Sequence, residues 1–252
     1  TYQKLAGINA SGASRAALGL ADAALFEGRL NDAATLLDNG IKDDVANNRT
    51  AAAAIKQIAL AELHVLRGQK AQAMALADQA LSVVKDEGQK YVLARIYFGA
   101  GQESKALEIA QTLSARIEPD PRHYAKLIEA EAQMLHGKLS DAITTLQEAQ
   151  KITDSWPGRL LLGRAYLEAK SFAEAHSEFD ACLKRRGEAA ALLLDDVPSY
   201  RYLPPVYYYL GLVQEGLNSP AAVESWRTFL QLKAKGEDEP MVRDARRRVE
   251  GR

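Results

Sequence analysis

The feature that most constrains this chain of 252 residues is a short motif that recurs at a nearly constant interval. In each copy a residue suited to end a helix is followed, five positions later, by an alanine. The pairs are Gly28 and Ala33, Gly68 and Ala73, Gly101 and Ala106, Gly137 and Ala142, and Lys170 and Ala175. Glycine is favoured just after a helix end because it adopts the left-handed backbone conformation without a steric penalty. The motif therefore predicts pairs of helices joined by tight turns.

Successive alanines of this motif are 40, 33, 36 and 33 residues apart. An interval near 34 residues built from helix pairs is typical of tetratricopeptide solenoids. The fifth copy matches that pattern best, with Gly163 where two helices approach, Tyr166 between them, and Phe179 after Ala175. We predict an all-α fold, a right-handed α-solenoid of about six tetratricopeptide-like helix pairs with a C-terminal capping helix.

The periodicity predicts a single solenoid over residues 1–252. Its helix pairs are expected near 14–47, 50–84, 88–118, 122–154, 157–187 and 204–234, and the capping helix near 239–250. The segment 185–202 interrupts the rhythm before the sixth pair. Because this insert contains Leu192, Leu193 and Leu194, we expect it to pack against the sixth pair and not to float in solvent.

Composition and charge narrow the range of functions. The chain has 32 basic and 33 acidic side chains, so it lacks the basic excess typical of nucleic-acid binding. No apolar run is long enough to predict a membrane span. The first residue is Thr1, which we interpret as the start of an excised or processed piece of a longer protein. Oligomeric state and localisation stay open.

The motifs that carry chemistry are missing from the sequence. The four histidines form no His-Glu-x-x-His pair, and the small-residue stretch near Gly12 lacks the lysine of a phosphate loop. The single cysteine, Cys182, occupies a repeat position that favours a small buried residue. We therefore predict no catalytic residue, no cofactor and no metal site, and a non-enzymatic role.

In a solenoid of this type the first helix of each pair lines a groove, and the motif fixes which residues face it. One row holds Asp22, Glu62, Arg95, Glu131, Arg164 and Leu212, and the neighbouring row holds Leu18, Ile58, Tyr91, Leu127, Leu160 and Tyr208. The groove is thus acidic first, then basic and aromatic. We predict that a protein or peptide binds the later half, at Tyr91, Arg95, Leu127, Glu131, Leu160, Arg164, Tyr208 and Leu212. Arg164 and Tyr208 together suit an acidic or phosphorylated peptide, although Arg164 could instead pair with Glu131.

Three stretches of the later half are distinctive: RRGE at 185–188, DDVP at 195–198 and LPPVYYYLG at 203–211. With GLAD at 19–22 and YAKLIE at 124–129, they resemble the C-terminal tetratricopeptide region of bacterial, acidobacterial-type, eukaryote-like serine/threonine protein kinases. The resemblance implies a regulatory or docking region of a kinase. The chain itself contains no His-Arg-Asp loop and no Asp-Phe-Gly.

Two other functions stay open at this stage. A solenoid can be the sensor region of a transcription activator, in which case a DNA-binding domain precedes it. An all-α hydrolase would require two carboxylates that converge in a cleft, whereas the predicted rows alternate acidic residues with arginine.

Overall fold

The computed structural model describes residues 2–191, 197–234, 236 and 239–251. Helices make up almost all of that part of the chain, and it contains no strand. The prediction of an all-α solenoid with six helix pairs and a capping helix is confirmed. The expectation for Leu192, Leu193 and Leu194 lies outside the described residues.

The six pairs follow one another along the chain, preceded by a short helix that the repeat pattern did not predict. The elements are α1 (Tyr2–Ala6), α2 (Ala10–Glu27), α3 (Leu30–Ala46), α4 (Thr50–Leu66), α5 (Lys70–Leu81), α6 (Glu87–Ala100), α7 (Glu103–Ser114), α8 (Pro119–Leu135), α9 (Leu139–Ile152), α10 (Trp156–Glu168), α11 (Phe172–Lys184), α12 (Pro204–Gly216), α13 (Ala222–Leu232) and α14 (Pro240–Glu250). Two 3-10 helices, Arg186–Ala191 and Tyr200–Tyr202, lie between α11 and α12.

The turn motif works as its residue types predict. The residue that follows the first helix of a pair has a positive φ in five copies: 80° at Gly28, 71° at Gly68, 80° at Gly101, 70° at Gly137 and 60° at Lys170. In the first copy the N–H of Gly28 bonds to the carbonyl of Leu25, and that of Arg29 bonds to the carbonyl of Ala24. This two-bond pattern is the Schellman motif, which satisfies carbonyls at a helix end.

Small residues set the distance between the helices. The motif alanines of the first five pairs are fully buried. Within the fifth pair, a Cβ added at Gly163 would lie 2.7 Å from the ring of Phe179, so only glycine permits this approach. Gly211 faces the indole of Trp226 in the sixth pair in the same way. The core therefore continues from pair to pair, with large side chains opposite small ones.

The two ends of the solenoid meet. The ammonium group of Lys233, just after α13, donates a hydrogen bond of 3.0 Å to the backbone carbonyl of Leu25 in α2. Gly236 lies against Gly28, at the turn of the first pair. Residues more than 200 positions apart are thus in direct contact, and they bound one side of the inner face of the stack.

Candidate protein-binding groove

The first helices of the pairs line the inner face with alternating charges. Asp22 on α2 and Glu62 on α4 lie at one end, and Arg95 on α6, Glu131 on α8 and Arg164 on α10 follow. Each carboxylate in this row contacts at least one arginine. The row is therefore a continuous line of charge in which the opposite signs are close enough to interact.

The acidic end of this row is occupied by the chain itself. We call residues 197–203 the strap. Arg201 of the strap is only 7% exposed, and its guanidinium lies 2.8 Å from Oδ1 of Asp22 and 2.7 Å from Oε2 of Glu62. The same group also donates a 3.0 Å hydrogen bond to the carbonyl of Pro198. Arg201 therefore ties the strap to the first two helix pairs through two buried carboxylates.

Other strap residues add to this contact. The backbone N–H of Tyr200 donates to Oδ2 of Asp22 at 3.0 Å, and the hydroxyl of Tyr202 donates to Oε1 of Glu62 at 2.5 Å. Val197 is buried in the main core, and the hydroxyl of Ser199 donates to the carbonyl of Ala189 at 2.7 Å. The described part of the insert contacts α12, as expected, but it also crosses the inner face to α2 and α4, a contact that the repeat pattern does not predict.

The charge states at this contact follow from burial and from the neighbouring groups. Burial alone would lower the pKa of Arg201, but Tyr202, Glu62 and Asp22 outweigh burial and raise it. Burial raises the pKa of the Tyr202 phenol, and Glu62 raises it further. Arg201 is thus a cation and Tyr202 a neutral hydrogen-bond donor, which is the combination that two carboxylates require.

The two arginines in the basic half of the row have fewer hydrogen-bond partners. Nε of Arg95 and Nη1 of Arg164 lie 3.4 and 3.6 Å from the same oxygen, Oε1 of Glu131. Arg164 therefore pairs with Glu131, as the alternative interpretation of the sequence proposed. Neither guanidinium donates a hydrogen bond of good geometry to any described residue. Each instead covers a tyrosine, with Arg95 5.7 Å from the ring of Tyr202 and Arg164 5.9 Å from that of Tyr209.

Only some of the predicted binding residues come together. Tyr91, Arg95, Glu131, Leu160 and Arg164 are grouped on the inner face. Tyr91 is almost fully buried, stacks on Tyr124 at 5.5 Å and also contacts Arg95.

The remaining predicted residues are elsewhere. Leu127 is fully buried in the core and offers no surface to a partner. Tyr208 does not join Arg164, because its hydroxyl donates to Asp244 of the capping helix at 2.9 Å. Leu212 packs in the same cluster beside the capping helix. The tyrosine next to Arg164 is Tyr209, one position along α12, so the predicted pairing of Arg164 with Tyr208 is wrong.

A cavity of about 220 Å³ lies between the two ends of the solenoid. Its apolar wall includes Leu63, Ile96, Leu160, Phe229 and Met241. Its polar groups come from both halves of the chain: Glu62, Arg95, Arg164, Arg201, Lys233 and Glu239, with the rings of Tyr202 and Tyr209 between them. The inner face is therefore not an open groove, since its acidic end is occupied and its basic end opens on this cavity.

Cys182 and His123, which by residue type could act as a nucleophile and a base, have structural roles. Cys182 is fully buried, as predicted, and burial raises the pKa of its thiol to about 12. Burial lowers the pKa of His123, whose Nδ1–H donates to the carbonyl of Ala149 at 3.0 Å while Nε2 lies 2.6 Å from the hydroxyl of Ser155. Ser155 in turn caps α10 by accepting the N–H of Gly158. These groups join helices and are not directed at the cavity.

The described residues contain neither a metal-binding cluster nor a helix suited to cross a membrane. No group of three or more histidine, cysteine or acidic side chains in ranges 2–191, 197–234 and 239–251 is arranged to hold a metal ion. None of the helices in the described part of the chain combines the length and apolar composition that crossing a bilayer demands.

Comparisons with known proteins bear on the fold. No protein-family model and no curated protein matches the sequence. Among solved structures, a chain of the APC/C hetero-tetramer Cut9-Hcn1 superposes with a TM-score of 0.51 at 16% identity, over 87% of this chain and 39% of that one. Also similar is a putative kinesin light chain from Podosopora anserina with TPR-like repeats, which has a TM-score of 0.42 at 20% identity over 71% of this chain and 94% of that one. The P58(IPK) TPR domain has a TM-score of 0.39 at 13% identity over 94% of this chain and 78% of that one. At such identities the first match shows a shared solenoid fold, of which this chain spans well under half.

Proposed function

We propose that this chain is a protein-interaction and docking region that has no chemistry of its own and holds a short peptide segment on its inner face. The observation that carries the proposal is the strap. The strap, whose residues Tyr200–Tyr202 form a 3-10 helix, already lies across two repeats and is held by a guanidinium, a hydroxyl and a backbone N–H on Asp22 and Glu62. Repeat solenoids commonly bind their partners on extended concave surfaces of this kind.

The chemistry of that contact defines the partner. Two carboxylates with one guanidinium and one phenol favour a segment with adjacent arginine and tyrosine, since arginine matches carboxylates with a planar fork of donors. A partner of this kind would compete with the strap for Asp22 and Glu62. Because a tethered segment has an effective concentration in the millimolar range, the partner must bring further contacts to displace it.

The experiment tests whether the acidic end accepts a peptide in trans. A fluorescein-labelled peptide with the sequence of residues 197–203, VPSYRYL, is titrated by anisotropy with the Arg201→Gln chain, in which the strap is weakened. We expect saturable binding of the peptide to the Arg201→Gln chain and much weaker binding to the wild-type chain, in which the strap occupies the site. The matched control is the same peptide with glutamine in place of arginine, which should not bind.

Two further variants sharpen the result. The triple variant Asp22→Asn, Glu62→Gln, Arg201→Gln removes the acceptors and should not bind the peptide, while Arg116→Gln, an exposed arginine paired with Glu118, should behave like the wild type. If the Arg201→Gln chain remains folded and shows no binding, or if both peptides bind equally, then the acidic end is not a peptide site.

We further propose that the docking region belongs to a bacterial serine/threonine protein kinase. The support is the resemblance at 185–188, 195–198 and 203–211, which includes both ends of the strap and the start of α12. The test is the coding sequence upstream of Thr1. A kinase domain there agrees with the proposal, and a helix-turn-helix or winged-helix domain would instead favour a transcription activator.

A further inference from the structure

The central cavity contains two cations whose donors have few partners. An arginine carries five N–H donors in one plane. In the described part of the chain, Arg95 and Arg164 share a single oxygen of Glu131 at 3.4 and 3.6 Å, and neither makes a hydrogen bond of good geometry. By contrast, the other two cations at the cavity, Arg201 and Lys233, donate to carboxylates and to backbone carbonyls.

The surroundings of this pair leave the donors available. Arg95 covers the ring of Tyr202 and Arg164 covers that of Tyr209, at 5.7 and 5.9 Å. A guanidinium that covers a ring has its flat side occupied, so its in-plane N–H groups remain free. Their side chains are 31% and 26% exposed, and both line the cavity.

The free donors of the arginine pair, and not an excess of positive charge, favour an anion, because Asp22 and Glu131 also contact the cations that line the cavity. Its described lining includes four cationic side chains and two acidic ones. Glu131 contacts the arginine pair through one oxygen, and its second oxygen is buried without a hydrogen-bond partner, so it takes up no further donor from either arginine. A carboxylate that entered the cavity would meet two guanidinium edges, the geometry in which arginine binds carboxylates in a bidentate manner.

The rest of the cavity is apolar and of limited size. Leu63, Ile96, Phe229 and Met241 supply its other walls. A cavity of about 150 Å³ is known to hold benzene. The volume of about 220 Å³ therefore accommodates one ring with a short acidic side chain, and it is too small for a folded partner or a long peptide.

We propose that this cavity binds a small organic acid, with its carboxylate on Arg95 and Arg164 and its apolar body against Leu160, Phe229 and Met241. This site adjoins the acidic end that the strap occupies, since Glu62, Arg201 and Tyr202 line the cavity. The inference rests on Arg95 and Arg164, which make no hydrogen bond to the strap, and it does not depend on the peptide-docking function. Because the walls include residues of α4, α6 and α10 as well as Phe229 of α13 and Met241 of α14, the acid would contact both ends of the solenoid at once.

The test is a titration of the full chain by isothermal calorimetry with four probes: benzoate, phenylacetate, 3-phenylpropionate and indole-3-acetate. The neutral amide of each acid is its control. We expect at least one acid to bind with a dissociation constant below about 1 mM. It should bind about tenfold or more tightly than its amide, because hydrogen bonds to a charged group are stronger than neutral ones.

Variants assign the binding to the arginine pair. Arg95→Gln and Arg164→Gln should each weaken the acid about tenfold and leave the amide nearly unchanged. Arg159→Gln is the matched control, since Arg159 is on the same helix as Arg164 but pairs with Asp154 and Glu178, away from the cavity. It should bind like the wild type.

A variant that leaves both arginines in place guards against a loss of fold. Leu160→Phe fills the cavity and should abolish binding, and thermal melts of every variant show which of them remain folded. The inference is overturned if none of the four acids binds the wild-type chain, if acid and amide bind equally, or if Leu160→Phe stays folded and binds as well as the wild type. Binding of an acidic peptide without binding of any small acid would also contradict it.

Discussion

Replacing Arg201 by methionine removes one cation that two buried carboxylates share. The side chains of Asp22 and Glu62 are only 4% and 16% exposed. Without the guanidinium, Asp22 keeps the backbone N–H of Tyr200 as a donor and Glu62 keeps the hydroxyl of Tyr202. Removing one partner of a buried ion pair costs about 3–5 kcal/mol. Since the strap can lift away and let water reach the carboxylates, we expect the lower end, about 3 kcal/mol.

The assay is guanidinium denaturation followed by far-UV circular dichroism and by tryptophan fluorescence. Trp156 and Trp226 are both buried, in the fifth and sixth pairs, so fluorescence reports on the repeats between which the strap lies in the sequence. Coincident curves justify a single free energy of unfolding. A loss of about 3 kcal/mol corresponds to a melting temperature lower by roughly 6–12 °C for a chain of this length.

Two controls separate the buried cluster from an ordinary loss of charge. Arg116→Met breaks an exposed pair with Glu118 and should cost less than about 1 kcal/mol. The triple variant Arg201→Met, Asp22→Asn, Glu62→Gln leaves no uncompensated charge and should recover most of the loss. If Arg201→Met costs no more than Arg116→Met, the strap is not anchored by its charges and the reasoning fails.

Three further perturbations test separate contacts. Gly211→Ala forces a methyl group against the indole of Trp226 and should lower the free energy of unfolding by about 1–2 kcal/mol, even after the helix-propensity gain of alanine. In the control Gly187→Ala the added methyl group meets nothing within 4 Å, so the free energy of unfolding measured by urea denaturation should change by less than about 0.5 kcal/mol. The folded-state pKa of His123 lies below its ordinary value of 6.5, so the neutral ring stabilises the fold above that pH, and this stability is lost as the pH falls below it. Between pH 6.5 and about 5 the melting temperature should therefore fall more steeply for the wild type than for His123→Gln. Parallel curves for the two chains would refute this. The thiol of Cys182, with its pKa raised to about 12 and no exposure, should react with Ellman's reagent only after denaturation, and a fast native reaction would show that the thiol is accessible.

The helices and turns of this fold could be predicted because their causes are local. A glycine that needs a positive φ, as at Gly28, and an alanine that a neighbouring helix covers, as at Ala33, appear in the sequence at fixed spacing. The helix α1 was missed because a helix of five residues carries too little periodicity to be recognised.

The site could be predicted only where it follows the repeat register. The register placed Arg95, Glu131 and Arg164 in one row, and their side chains do meet. It could not place Arg201, because the insert is outside the repeats and crosses to helices about 140 and 180 residues earlier. The one sign of this contact in the sequence was charge, because Asp22 and Glu62 were predicted to face the groove and no cation was predicted beside them.

The choice between Tyr208 and Tyr209 shows a second limit of the register. Adjacent residues on a helix point about 100° apart, and the start of α12 was known only to within a few residues. The register selected Tyr208 as the neighbour of Arg164. In the structure the hydroxyl of Tyr208 is hydrogen-bonded to Asp244 of the capping helix, and Tyr209 lies beside Arg164.

The bond from Lys233 to the carbonyl of Leu25 changes how this chain should fold. A solenoid with contacts only between neighbours can nucleate anywhere, and its terminal repeats open first. Here the first repeat is held by the strap and by residue 233, so amide exchange in α2 should be as slow as in the middle of the stack. The entropic cost of closing a loop of about 200 residues is paid late in folding. During synthesis, the N-terminal repeat is made first and is the last to obtain its full set of contacts.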